Sequence, residues 1–216
     1  MTSPALVIFD MAGTTIEDRG QVPAAFAAAL AAHGITLGAD EISRMRGASK
    51  RQAIRDLLPP DQTDQAERIY LEFRRVLSKA YREGGVREIP GAGELFARLR
   101  ARGIKVALTT GFDRDTTTLL LTSLGWKADV VDAIVCGDDV PRGRPAPDLI
   151  FVAMKLTMVE DLARVANVGD TVLDLESAAR AGVKWNIGVL SGAHTRQALE
   201  RAPHTELIAS INELTF

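Results

Sequence analysis

A single cysteine, Cys136, is present in 216 residues, so the chain can form neither an internal disulfide nor a thiolate metal cage, and the composition suits a reducing cytoplasm. Cys136 closes an apolar run, the place of a small buried hydrophobe and not of a nucleophile. Neither sign of charge dominates: 26 Lys and Arg stand against 28 Asp and Glu, for a net charge of −2. No segment concentrates the basic residues, which argues against a nucleic-acid or anionic-membrane partner and leaves a small molecule. Long apolar runs are missing as well. The Ala-rich stretch from Ala24 to Ala32 is far short of a membrane span, and Met1-Thr2-Ser3-Pro4 lacks the basic start of a signal peptide. These absences lead to the expectation of a soluble, unprocessed, cytoplasmic chain. What remains is ordinary for a globular protein, with 46% hydrophobic and 25% charged residues, and the length accommodates one substantial core plus a smaller insertion.

The order of apolar patterns sets the expected architecture. Ala5-Leu6-Val7-Ile8-Phe9 reads as a strand buried on both faces, as at the centre of a parallel sheet. A block without strands follows: predicted helices run over Val22 to His33, Ala39 to Arg46, Ser49 to Leu58 and Asp61 to Arg82, stopped by Gly34, Pro59-Pro60 and Gly84-Gly85. From Ile89-Pro90-Gly91 onward helices and strands alternate, with strands expected over Ile104 to Leu108, Val130 to Val135, Val165 to Val168 and Trp185 to Val189, and a weak one at Leu207-Ile208. Helices are expected over Ala92 to Arg102, Arg114 to Leu124, Pro147 to Leu156, Val172 to Ala181 and Thr195 to Glu200. That alternation predicts an α/β fold, a Rossmann-like doubly wound parallel sheet. Residues 1–16 and 89–216 would form this core, and residues 17–88 an inserted all-helical cap closing over the carboxyl ends of the strands, where ligands bind in such sheets.

Four segments fall at those ends. Asp10 ends the first strand, and Gly13-Thr14-Thr15 make a turn whose N–H groups and hydroxyls could hold an anion. No acid stands at Ala12, two positions beyond Asp10, so a nucleophilic carboxylate is offered without a neighbouring general acid. Thr109-Thr110-Gly111 could grip phosphate oxygens. Gly143-Arg144-Pro145 presents an arginine held between Gly and Pro, able to offset the charge of Asp10 and a phosphoryl group; Arg142 reads as a solvated loop residue. In Val168-Gly169-Asp170-Thr171-Val172-Leu173-Asp174, Asp170 lies at a strand tip and Asp174 one helical turn later, so both can point to one place. Asp174 could equally be a helix N-terminal residue engaged in capping. Asp10 and Asp170 together make a hard, oxygen-only site suited to Mg²⁺.

In this order the motifs resemble the haloacid dehalogenase superfamily of hydrolases with a helical cap, over essentially the whole chain. The resemblance implies an aspartyl-phosphate on Asp10, a metal held by Asp10, Asp170 and the carbonyl of Ala12, phosphoryl contacts from Thr110, Gly111 and Arg144, and Asp174 orienting the site. Ala12 and Arg144 resemble the phosphonoacetaldehyde hydrolase branch, in which a cap lysine forms a Schiff base with the aldehyde so that the carbon leaves as an enamine. Gly47-Ala48-Ser49-Lys50 places Lys50 at that lysine, with Arg46 or Arg51 available to lower its pKa. Ala53, Arg46 and Phe112 depart from the His, Met and Tyr of that branch.

Two alternatives stay open for Lys50. The cap segment is also similar to that of beta-phosphoglucomutase-like enzymes, where Lys50 would clamp a distal phosphate of a small ester, or Lys50 is simply a solvated residue. Haloacid dehalogenases also lack the second Asp but need no metal, which the retained Asp170 argues against. A phospho-acceptor switch of the response-regulator kind would have no inserted cap. Gly91-Ala92-Gly93 opens a helix without the third glycine of a dinucleotide fingerprint. The resemblance also implies a homodimer.

Overall fold

The computed structural model describes residues 3–38, 41–42, 45–58, 60–127 and 129–216, with the side chains of residues 60 and 61 left aside. Its centre is strand β1, Leu6–Asp10, with all five residues buried. β2 (Lys105–Thr109), β3 (Ala133–Val135), β4 (Val165–Gly169), β5 (Trp185–Val189) and β6 (Glu206–Ile208) complete one six-stranded sheet in the order β3-β2-β1-β4-β5-β6, parallel throughout. Alternation along β1 sends Leu6 and Ile8 into one apolar cluster and Val7 and Phe9 into the other, so the strand is covered on both faces. The expected α/β architecture is therefore present. Order reverses at β1, with β2 on one side and β4 on the other, which places the topological switch point at the tip bearing Asp10.

The helices between β1 and β2 begin with α1 (Gln21–Ala31), α2 (Lys50–Leu57) and α3 (Ala66–Gly84) and continue into α4 (Ala92–Ala101). In α3, Ile69, Phe73, Leu77 and Tyr81 repeat every four residues and are all buried, giving the stripe that packs on α1; the rings of Phe26 and Phe73 lie 4.6 Å apart. The chain leaves and returns along one paired connection. Ile16 bridges Glu88, Glu17 N donates to Arg87 O at 2.9 Å and Ile89 N donates to Thr15 O at 2.9 Å. On the far side of β2 come α5 (Arg114–Ser123), α6 (Asp148–Thr157), α7 (Val172–Ala181) and α8 (Arg196–Glu200).

Three expected elements differ. The strand over Val130 to Val135 is formed only from Ala133, because the Asp132 carboxylate itself accepts from Val106 N at 2.9 Å and from Lys105 Nζ at 2.9 Å, occupying the ladder position ahead of β3. The helix expected to start at Asp61 opens instead as 3₁₀ turns over Pro60–Gln65, a stretch rich in Asp, Gln and Thr, and becomes α-helical from Ala66. Of the helix expected over Ala39 to Arg46, residues 39, 40, 43 and 44 lie outside the described residues, and Met45, Arg46 and Gly47 form a turn with Gly47 at φ +83°. Among the described residues no helix is long and apolar enough to cross a membrane.

Candidate active site

Asp10 ends β1 directly opposite Thr109 at the end of β2. The Arg144 side chain, 3% exposed, reaches this tip and spreads its fork over three partners. Nη1 meets Asp10 Oδ1 at 2.6 Å, Nη2 donates to Thr109 Oγ1 at 2.7 Å, and Nε lies 2.9 Å from Asp174 Oδ1. A guanidinium supplies this planar geometry and an ammonium does not. Asp174 is engaged on both of its oxygens. It stands in the first turn of α7 in a capping box with Thr171, whose hydroxyl accepts from Asp174 N while Asp174 Oδ2 accepts from Thr171 N at 3.1 Å and from its hydroxyl at 2.5 Å; its other oxygen faces Arg144.

Asp170 follows β4 and is wholly buried. Its Oδ1 accepts from the Thr14 hydroxyl at 3.1 Å and its Oδ2 from Ala193 N at 2.6 Å. Two glycines let backbone close around it: a Cβ at Gly13, where φ is +94°, would come within 2.4 Å of Asp170 Oδ2, and one at Gly192 within 2.0 Å. Ligand oxygens of Asp10, Asp170 and Asp174 all lie within 4.8 Å of one another. Burial, opposed by Arg144 and reinforced by Asp174, lifts the Asp10 carboxyl to about 6, and burial with the same neighbouring carboxylates holds Asp170 well above the usual carboxylate range. Three buried carboxylates facing one guanidinium form an oxygen-only, electron-rich donor set, which fits a hard divalent cation.

The turn after Asp10 does not act as the expected anion cradle. Gly13 N donates to Ile16 O at 2.7 Å, and Thr14 N and Thr15 N donate to Met11 O at 3.2 and 2.9 Å. The Thr14 hydroxyl is given to Asp170, and that of Thr15 to the carbonyls of Asp10 and Met11. These donors hold the turn and the acids in place. Thr110 is buried with its hydroxyl accepting from Phe112 N at 3.1 Å. Gly111 touches the helical insert, where a Cβ would lie 2.4 Å from Ala48 O.

From that insert comes Lys50, the first residue of α2 and 6% exposed. Its backbone N donates to Gly111 O at 3.4 Å, its Nζ donates to Ala48 O at 3.0 Å, and Nζ lies 5.4 Å from the centre of the Phe112 ring. Burial pushes its ammonium down to about 8 against the pull of Asp10, with Arg144 helping to lower it. The neighbouring cation is therefore Arg144 and neither of the arginines expected from the sequence. Arg46 is paired with Asp18 at 3.2 Å, and Arg51 with Glu67 at 3.1 Å while lying over the Tyr70 ring.

Asp10, Ala12, Thr110, Gly111, Arg144 and Asp170 from the sheet, and Asp18, Val22, Arg46 and Lys50 from the insert, line one small cavity of about 30 Å³. Every residue expected at the site is thus in or beside it. Sequence reasoning named Thr109 within its phosphate-gripping motif but not as a partner of Arg144, and it missed Asp18 and the Ala193 N–H. Thr109 carries a signal in hindsight, being the last residue of a strand paired with Asp10, whereas Asp18 and Ala193 sit in connections with no periodicity. Arg142 pairs at the surface with Asp148 at 2.8 Å, and Cys136 is buried, its thiol pushed up to about 11 by burial.

The family model for haloacid dehalogenase-like hydrolases matches residues 4–182. The chain belongs to the haloacid dehalogenase-like hydrolases. Among curated relatives of this hydrolase, phosphonoacetaldehyde hydrolase of Bacteroides fragilis is 32% identical over 213 residues, spanning 92% of this chain and 80% of the relative. Phosphonoacetaldehyde hydrolase of Bacillus cereus is 29% identical over 225 residues, spanning 93% and 83%. The crystal structure of a hydrolase from Pseudomonas syringae superposes with a TM-score of 0.85 at 28% identity, covering 95% of this chain and 94% of that one. Haloacid dehalogenase-like hydrolases generally use a divalent metal, for which the acid cluster is the candidate site. Membership makes the chain a hydrolase enzyme and removes the phospho-acceptor switch as a reading.

Proposed function

We propose that this hydrolase cleaves the phosphorus–carbon bond of phosphonoacetaldehyde or a related 2-oxo phosphonate, releasing inorganic phosphate and the aldehyde. The observation that carries this reading is Lys50, buried at 6% exposure in the cavity of Asp10, with burial lowering its ammonium to about 8. An amine there can add to a carbonyl and turn a carbanion leaving group into an enamine, which supplies what the absent acid at Ala12 would otherwise provide. Asp10 attacks phosphorus, the C–P electron pair passes into the imine of Lys50, and water then hydrolyses the aspartyl-phosphate. Thr110, Gly111 and Arg144 orient the phosphoryl oxygens. Asp10, Asp170 and the Ala12 carbonyl would hold Mg²⁺, which when bound offsets charge on the phosphoryl group, while Asp174 keeps Arg144 in place.

In this reading residues 17–88 are a cap. The cavity of about 30 Å³ holds about two waters, so the cap opens for substrate and closes for reaction, excluding bulk water. The partner is a small phosphonate, the compartment is the cytoplasm and the assembly a homodimer. One observation favours a second reading: the Lys50 ammonium donates to Ala48 O at 3.0 Å, an arrangement suited to a charged clamp on a phosphate ester. Borohydride reduction with phosphonoacetaldehyde followed by peptide mapping separates the two. A reduced adduct on Lys50, absent from Lys50→Arg together with turnover, supports the imine; turnover that persists in Lys50→Arg contradicts it.

A further inference from the structure

An imine-forming lysine needs a partner that carries protons, because nitrogen must lose two of them while the carbonyl oxygen gains two and leaves as water. The sheet side of the cavity offers no candidate. Asp10 must attack phosphorus, Asp170 is taken up by Thr14 and Ala193, Asp174 by Thr171 and Arg144, and Ala12 has no polar side chain; on the insert, Ala53, a buried residue of α2, is equally inert.

Among the described residues, the insert side of the cavity has one acid. Among the described residues lining the cavity, Asp18 is the single carboxylate that belongs neither to the strand tips nor to the cluster around Arg144. Its side chain is 9% exposed and anchored at both oxygens: Oδ1 accepts from Gly20 N at 3.0 Å and Oδ2 from Arg46 Nη1 at 3.2 Å. Arg46 uses that one nitrogen alone in this pairing and is itself a wall of the cavity. The groups that face Asp18 are Arg46, Lys50, whose ammonium its charge favours, and the buried phenol of Tyr81, whose ionisation its charge disfavours. A carboxylate fixed in this way shares with Lys50 the wall that the insert gives to the cavity.

We infer that Asp18 is the proton carrier of imine formation, a role that rests on the reading of Lys50 given above. Asp18 takes one proton from the Lys50 ammonium, the freed amine forms the C–N bond, nitrogen then sheds a second proton to Asp18, and these two protons pass in turn to the oxygen, which departs as water and leaves the protonated imine. The carboxylate is restored and no oxidant or reductant takes part.

The test uses acetaldehyde, which can form the imine but has no phosphorus to transfer. The full chain is mixed with acetaldehyde, quenched into borohydride at increasing times, and the Lys50 peptide is quantified. Asp18→Ala is expected to slow adduct formation by about 100-fold. Asp18→Glu, or formate added to Asp18→Ala, is expected to recover most of that loss, and formate is expected to leave the unsubstituted enzyme unchanged. A merely structural role would not respond to formate. Adduct formation at an equal rate in Asp18→Ala, or a loss that neither Glu nor formate repairs, overturns the assignment while Lys50 keeps its role. Absence of any adduct in the unsubstituted enzyme overturns both.

Discussion

Lys50 carries a charge into surroundings that resist it, and the consequences have a definite sign. Its folded pKa, about 8, lies below the ordinary lysine value of 10.5, so the unfolded chain binds this proton more tightly. Stability from this group rises with pH between about 8 and 10.5, and at pH 7 the full cost of burying the ammonium is present. Lys50→Met is therefore expected to raise the thermal midpoint at pH 7, by up to about 3 kcal/mol in stability, and the gain is expected to shrink as the pH approaches 10. Imine formation should follow the same group: the rate of borohydride-trapped adduct is expected to climb through pH 7 and level off above about 8. A rate flat from pH 6 to 9 would contradict the assignment. At this scale the sequence was informative where residues stand at strand ends. Asp10 and Asp170 were legible there, because a polar residue after a buried apolar run must face the sheet's edge; Asp174, one helical turn on, and Arg144, fixed between Gly143 and Pro145, were legible from their motifs. Asp18 was not, since a lone acid in a connection has no pattern to betray it.

Contacts between elements decide how the insert meets the sheet. Gly111 presses on Ala48 O, so Gly111→Ala is expected to hold the insert away from Asp10 and lower kcat/KM by at least about tenfold, with little change in the thermal midpoint; an unchanged kcat/KM would show that this contact does not limit closure. Beside it, Asp113 caps α5 by accepting from Thr116 N at 2.8 Å, while the Tyr70 hydroxyl and Arg74 Nε of α3 both reach its Oδ2, the latter at 3.0 Å. Asp113→Ala removes a cap and leaves Arg74 with Asp115 alone, so a loss of about 1–3 kcal/mol is expected in denaturant unfolding, with faster amide exchange in α3. The existence of the helices and strands could be read from apolar spacing, but their ends could not. β3 is cut short by the Asp132 side chain, and the anion cradle expected after Asp10 is absent because the turn uses its own N–H groups. Both outcomes depend on which of several hydrogen-bond partners wins, and a sequence does not record that.

For the whole molecule, the governing fact is the reversal of strand order at β1. It gathers four separate stretches of chain at one sheet edge, and the helical insert covers them. Alternating strands and helices made the parallel sheet legible in advance, and the strandless block after Phe9 made the insert legible too. The depth to which the insert encloses Lys50 was not, because it arises from the packing of α1 and α2 on α3 and from contacts such as Tyr70 with Asp113 and Lys50 with Gly111, between residues far apart in the chain. The proposed reaction requires Lys50 to activate the carbon, because Asp10 has no acid beside it at Ala12. The most direct measurement is turnover: phosphate and acetaldehyde released from phosphonoacetaldehyde with Mg²⁺ present, after EDTA treatment, and in comparison with a simple phosphate ester. The expected result is repeated one-to-one release of phosphate and acetaldehyde, abolished by EDTA, restored by Mg²⁺, and at least about 100-fold faster than ester hydrolysis. Faster hydrolysis of the ester than of the phosphonate would contradict it.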